Sequence, residues 1–170
     1  METRAFVRPI KALSLRTFTL CAALSAVLFG SPDVVSAQAP TLPGVWAQVV
    51  TPRNCATNEP LPVPPFRGLH TFHRDGTLSE SVGTVSFAPG QRSDGHGTWT
   101  HAGGLMFRER TVAMILFNGG IYQAGWQVIT RTVTMTDADH YTGSGTSQFF
   151  DVNGQIYFTA CATSAGERAR

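Results

Sequence analysis

The chain has 170 residues, a formal charge of +2 and only 14% charged residues, long enough for one domain with a real core. Lysine is absent after Lys11, which removes Schiff-base chemistry and the phosphate-binding lysine of a P-loop. Beyond residue 37, nine arginines face nine acidic residues with no basic run, a neutral balance that argues against a nucleic-acid partner.

Arg4, Arg8, Lys11 and Arg16 form a basic leader, and Thr17 to Phe29 is an uncharged, mostly apolar stretch too short to span a bilayer. Val35, Ser36 and Ala37 then supply small residues, so residues 1–37 are expected to be a Sec-type signal peptide cut after Ala37, with Ala39 as the alternative. Cys21 follows Leu20 inside the apolar stretch, which argues against a lipoprotein anchor; an uncleaved anchor is the competing reading. The mature domain, 38–170, is then periplasmic or secreted, and it holds no further run of membrane-spanning length. Two cysteines remain, Cys55 and Cys161. An oxidising compartment makes a disulfide the expected state, with two buried thiols as the alternative.

The mature part reads as strand after strand. Val45 to Thr51 is the first, and Pro52 is expected to end it. Five prolines between residues 52 and 67 exclude helix or central strand, so this stretch is a stiff loop crossing one end of the fold. Strands over 69–74 and 77–82 follow, joined by the hairpin signal Asp75-Gly76. Residues 83–95 are rich in Gly, Pro and Ser and read as a loop. Strands are then expected over 97–101, 105–118, 121–136, 140–151 and 155–162, the last pair joined by Asn153-Gly154. Gly143-Ser144-Gly145 reads as a bulge or bend within its strand. About eight antiparallel strands with no helical period predict an all-β, up-and-down barrel, in which closure removes the sheet edges. Closure brings the first and last strands together. With those boundaries, however, Cys161 faces the middle of the first strand while Cys55 lies beyond its end.

These residues resemble the calycin group, and most closely bacterial lipocalin-like domains. Gly44-Val45-Trp46 matches the opening G-x-W of that group. Gly68 to Phe72, followed by Asp75-Gly76-Thr77-Leu78-Ser79, is similar to its second block. The resemblance implies that a late arginine, here Arg168, lies across Trp46 as a cation–π lid over the closed end. The chain departs from the group in lacking an N-terminal 3₁₀ signal and a helical lid, and in carrying the Pro-rich loop.

Barrels of this size are either filled by side chains or hold one small ligand. Phe72, Trp99, Tyr122, Trp126 and Tyr141 are candidate pocket walls, with ordinary core packing as the alternative. Arg108 and Glu109 lie on opposite faces of one strand. Either, if buried, needs a partner and then anchors a carboxylate or carbonyl ligand; the competing reading puts both at a solvated rim. His70 and His73 point to opposite faces, and no metal-ligand spacing occurs, so no metal or other cofactor is expected. A lone inward His70 or His140 as an axial haem ligand is the minority reading. His70, Glu80 and Arg110 are the candidates for a barrel that steers a reactive substrate by orientation. Three functions follow: a binder of a small apolar or amphipathic molecule without catalysis; a cyclase or isomerase; and an envelope interaction protein with a filled barrel. The first two require a cavity, and a convergent His, Glu and Arg within it favours the second over the first.

Overall fold

In the computed structural model, which describes residues 41–84, 87–118 and 121–170, eight antiparallel strands close into an up-and-down barrel. The leader expected over 1–37 lies outside the described residues. The strands are β1 (Gly44–Arg53), β2 (Phe66–Phe72), β3 (Thr77–Gly83), β4 (Gly95–Gly103), β5 (Met106–Asn118), β6 (Ile121–Met135), β7 (His140–Phe150) and β8 (Ile156–Arg168). Each pairs with the next, and β8 closes on β1.

Besides the earlier starts of β2 at Phe66 and β4 at Gly95, two boundaries differ from the sequence reading in ways that shape the seam. β1 runs through Pro52 to Arg53, because Pro52 turns its nitrogen away from β8. Its carbonyl on that same side accepts from Leu61 in the Pro-rich loop at 3.0 Å, where β2 pairing has already stopped. β8 continues past Ala162 to Arg168, so that Cys161 stands opposite Arg53 rather than opposite the middle of β1. Cys55 lies two residues further on, and the Cys55–Cys161 disulfide forms with a Cα separation of 5.2 Å. The Gly143-Ser144-Gly145 segment also differs: pairing with β6 and β8 runs through it without a register shift.

Strand alternation sorts the interior into three layers along the barrel axis. On β1, Trp46, Gln48 and Val50 point inward in succession while Val45 and Val49 face out. Phe72 then His70 on β2, Leu78 then Glu80 on β3, and Phe107 then Glu109 on β5 repeat the order of apolar, then polar. The first layer is a plug of Leu42, Trp46, Phe72, Leu78, Phe107, Val133, Met135 and Tyr141, with Trp99 packed on its flank. Trp46 and Tyr141 meet at a centroid distance of 5.1 Å, and Trp99 meets Phe107 edge-on at 5.7 Å.

Arg168 closes this end. Its guanidinium carbon lies 4.2 Å from the centre of the Trp46 ring, and it donates to the carbonyls of Pro43 at 2.9 Å and Thr41 at 2.7 Å. Gly44 is needed for this approach. Its φ is +143°, and a Cβ there would stand 2.3 Å from Arg168 Nη1.

Two outcomes test these fasteners. Arg168→Ala is expected to lower stability by about 2 kcal/mol, through lost cation–π contact and charge-assisted bonds, read as an earlier urea midpoint. An unchanged midpoint would show that the guanidinium caps nothing. Reducing the disulfide, which closes a loop 106 residues long, is expected to lower stability by up to about 4–5 kcal/mol. Coincident urea curves with and without reductant would remove the disulfide from the account of stability.

Candidate functional site

Above the plug, the second layer is a network of buried polar side chains centred on Arg131 of β6. Arg131 is 7% exposed, and its inward neighbours on β6 are Ile129 and Val133. Four of the five N–H groups of its guanidinium find an acceptor. Nη1 donates to Gln48 Oε1 at 2.6 Å and to Ser164 Oγ at 2.8 Å. Nη2 donates to Glu109 Oε2 at 3.0 Å and to His70 Nδ1 at 3.0 Å. Nε approaches Glu109 Oε1 to 2.7 Å, an ion contact that does not line up as a hydrogen bond.

The bond from Arg131 fixes the state of His70. A guanidinium has no acceptor, so Nδ1 must offer its lone pair and the ring proton sits on Nε2. That Nε2 is buried, has no hydrogen-bond partner among the described residues, and stands 3.8 Å from Glu80 Oε1. Glu80 Oε2 is held by Arg92 at 3.1 Å, and Arg92 also donates to Gln127, which donates on to Ser147. Tyr141 donates to Gln48 Oε1 from the plug side at 3.2 Å.

The electrostatics follow from burial and pairing. Burial pushes the Glu80 carboxyl upward, but the His70 contact and the Arg92 charge outweigh it and hold the group at about 2. Burial likewise works against the Arg131 charge, and Glu109 more than restores it, so its pKa moves up. Burial raises the Tyr141 phenol. Two arginines and two glutamates thus balance, and the layer carries no spare charge.

This network floors a cavity of about 290 Å³ that opens at the other end of the barrel. The volume is at the small end of known ligand sites. Val50, Ile129, Phe149 and Ala160 form much of its wall, Phe158 stands at the mouth, and Leu61 and Val63 of the Pro-rich loop lean in. Two broader hollows lie on the outer wall, one lined largely by threonines such as Thr132, Thr142 and Thr163; both are more open to solvent than the barrel mouth.

Of the residues singled out in the sequence, His70 and Glu80 meet on the cavity floor. Arg110 does not: it is exposed, on the outer face of β5. Arg108 is corrected in the same way, because it shares the outward parity of Arg110, while Glu109 between them is buried with Arg131 rather than placed at a rim. Trp126 faces out near the mouth, 38% exposed, with its ring stacked 6.4 Å from Phe150. Phe72 and Tyr141 belong to the plug beneath the floor, and Trp99 to its flank, so none of the three forms a wall of the cavity. The Tyr122 side chain lies outside the described residues. His140 is exposed and bonds Asp137 at 2.9 Å. Among the described residues, no three His, Cys, Asp or Glu side chains gather as metal ligands would.

Sequence reasoning missed Arg131, Gln48 and Arg92. A signal for Arg131 was present. Ile129, Arg131, Val133 and Met135 share one face, so an arginine interrupts an otherwise apolar row. The glycines of β7 are its counterpart, since a Cβ at Gly143 would come within 2.6 Å of Ser164 Oγ and 3.2 Å of Arg131 Cδ. They leave room for the arginine. No protein-family model matches the chain, and no curated protein matches it.

Arg131→Met is expected to cost about 3–5 kcal/mol, because it leaves Glu109 charged and unpaired in the interior. Adding Glu109→Leu should recover most of that loss in urea unfolding. A single replacement costing under about 1 kcal/mol would show that the fold does not depend on the pair.

Proposed function

We propose that this protein is an exported, lipocalin-like barrel that holds one small apolar or amphipathic molecule in its open end, without catalysing a reaction. The carrying observation is the cavity itself, mostly apolar along its walls, with the charged and imidazole groups of Arg131, Glu80 and His70 gathered at its floor. An amphipathic molecule would bury its apolar body against Val50, Ile129 and Phe149 and direct its polar end to His70 and Glu80. Exposed apolar side chains around the mouth, among them Val63, Ile156, Tyr157 and Phe158, offer a landing surface continuous with that wall.

Export to the periplasm or beyond, with the leader removed after Ala37, is part of the same reading. The disulfide supports it, since such bonds persist in oxidising compartments. It is also compatible with the finding that, among the described residues, no helix is long and apolar enough to cross a membrane.

A second reading, a cyclase or isomerase, is favoured by the convergence of His70, Glu80 and Arg131 on one floor. Binding without chemistry is preferred because Arg131 is saturated by protein partners and both glutamates are paired with arginines. Neither arginine at the floor is therefore free to stabilise charge developing on a substrate. The filled-barrel reading is disfavoured by the open volume above the floor.

Native mass spectrometry of the protein purified from its own host is expected to retain a small-molecule mass that denaturation releases. Ala160→Trp places a large ring in the cavity. It is expected to abolish that mass and the binding of a neutral fluorescent dye, with stability changed by less than about 2 kcal/mol. Unaltered dye binding in Ala160→Trp would place the ligand elsewhere.

A further inference from the structure

The floor carries information about the polar end of the ligand, and this deepens the binding reading above, on which it rests. A cavity that takes a carboxylate needs a cationic donor free to meet it. Among the described residues that line the cavity Arg131 is the only arginine or lysine, and both Nη groups are spent on Gln48, Ser164, His70 and Glu109. Arg92 lies behind the floor, committed to Glu80, Gln127 and the carbonyl of Ser93. No positive charge is left over.

What is left over is a donor and an acceptor side by side. His70 lines the cavity and its Nε2 is buried without a hydrogen-bond partner among the described residues, and Glu80 Oε1 stands 3.8 Å away while Arg92 bonds the other oxygen of that carboxylate. An oxygen about 2.8 Å from both atoms would bridge them, accepting from Nε2 and donating to Oε1. A carboxylate placed there would satisfy His70 but bring a second negative charge against Glu80 in a water-poor setting. An ester or ketone oxygen would accept and have nothing to donate.

We infer that the cavity is selective for a neutral hydroxyl head on an apolar body, an alcohol rather than a fatty acid, bridged between His70 Nε2 and Glu80 Oε1. The selection is made by what the network leaves unpaired, not by what it contains. A barrel floored by an arginine would ordinarily be read as an acid binder; here that arginine is consumed by the protein.

The test is isothermal titration of the protein, disulfide intact and at neutral pH, with decanol, methyl decanoate and decanoate. Decanol is expected to bind tightest, the ester less tightly, and decanoate weaker than decanol by roughly tenfold or more. Decanoate binding as tightly as decanol would overturn the hydroxyl assignment and leave the cavity reading standing. Failure of all three, together with failure of a neutral dye to bind, would overturn the cavity reading itself. Glu80→Gln removes the repulsion and should shrink the decanol-to-decanoate gap to within about threefold. An undiminished gap would overturn the role given to Glu80. The wild-type series decides the head-group question alone if that variant does not fold.

Discussion

A guanidinium held in the middle of a small barrel must be neutralised and fully hydrogen-bonded where it stands, because water cannot reach it to do either. Arg131 comes close to that requirement by drawing on β1, β2, β5 and β8 at once: both Nη groups are bonded, through Gln48, His70, Glu109 and Ser164, and Nε is left with an ion contact to Glu109. No single neighbouring strand could supply all four. The arginine therefore ties walls that are distant in sequence, and the tie forms only when the whole barrel has closed with each strand in register. A one-residue slip of β2 would put His70 outside and leave both Nη2 and Glu80 short of a partner. The polar layer thus specifies register in a way the apolar plug, more tolerant of substitution, does not.

The same layer explains why the barrel is solid at one end and hollow at the other. Aromatic side chains from β1, β2, β4, β5 and β7 fill the end capped by Arg168. Beyond the polar floor the inward positions shrink on two strands, β7 offering Gly145 and Ser147 where the plug has Tyr141, and β1 offering Val50 where it has Trp46, while β8 adds only Ala162 and Ala160. Small residues beside the arginine give its side chain room, and small residues above it leave the volume open. Seating a buried cation and keeping a cavity over it are met by one choice of residue size.

The architecture was legible in the sequence because it rests on signals local to each segment: two Asx-Gly hairpins, a Pro-rich crossing, and alternating apolar positions. The site was half legible. His70 and Glu80 stand in short strands with clean alternation, where one buried neighbour fixes the phase. Arg108, Arg110 and Trp126 lie on the long strands β5 and β6, which are apolar on both faces toward the mouth, and there composition alone does not reveal which parity points in. Arg131 was hidden in a run rich in Val, Ile and Thr, and its partners come from four other strands. The ties to β1, β2 and β8 exist only after closure and leave no trace in any local window, whereas Glu109 stands directly opposite across β5 and β6. The Gly143 and Gly145 signal is visible in the sequence but points there to a bulge or bend in the strand. Its cause is steric, the space taken by a side chain on the neighbouring strand.

Closure itself sets the remaining constraint. The β1–β8 seam joins the two ends of the barrel sequence, so it closes the longest loop of any strand pair and bears the largest entropic cost. The chain fastens that seam at both ends. At the plug, Arg168 of β8 stands opposite Trp46 of β1 and lies across its ring; at the mouth, Cys161 of β8 stands opposite Arg53 and is bonded to Cys55 just beyond it. Between the fasteners, Gln48 and Ser164 face inward from the two sides of the seam, and both accept from the same Nη1 of Arg131 on the far wall. The seam is therefore held along its edges by a lid and a covalent bond, and at its centre by the group that floors the cavity. The disulfide also anchors the Pro-rich loop, which carries Leu61 and Val63 to the mouth, so closing the sheet and shaping the entrance are one act of folding.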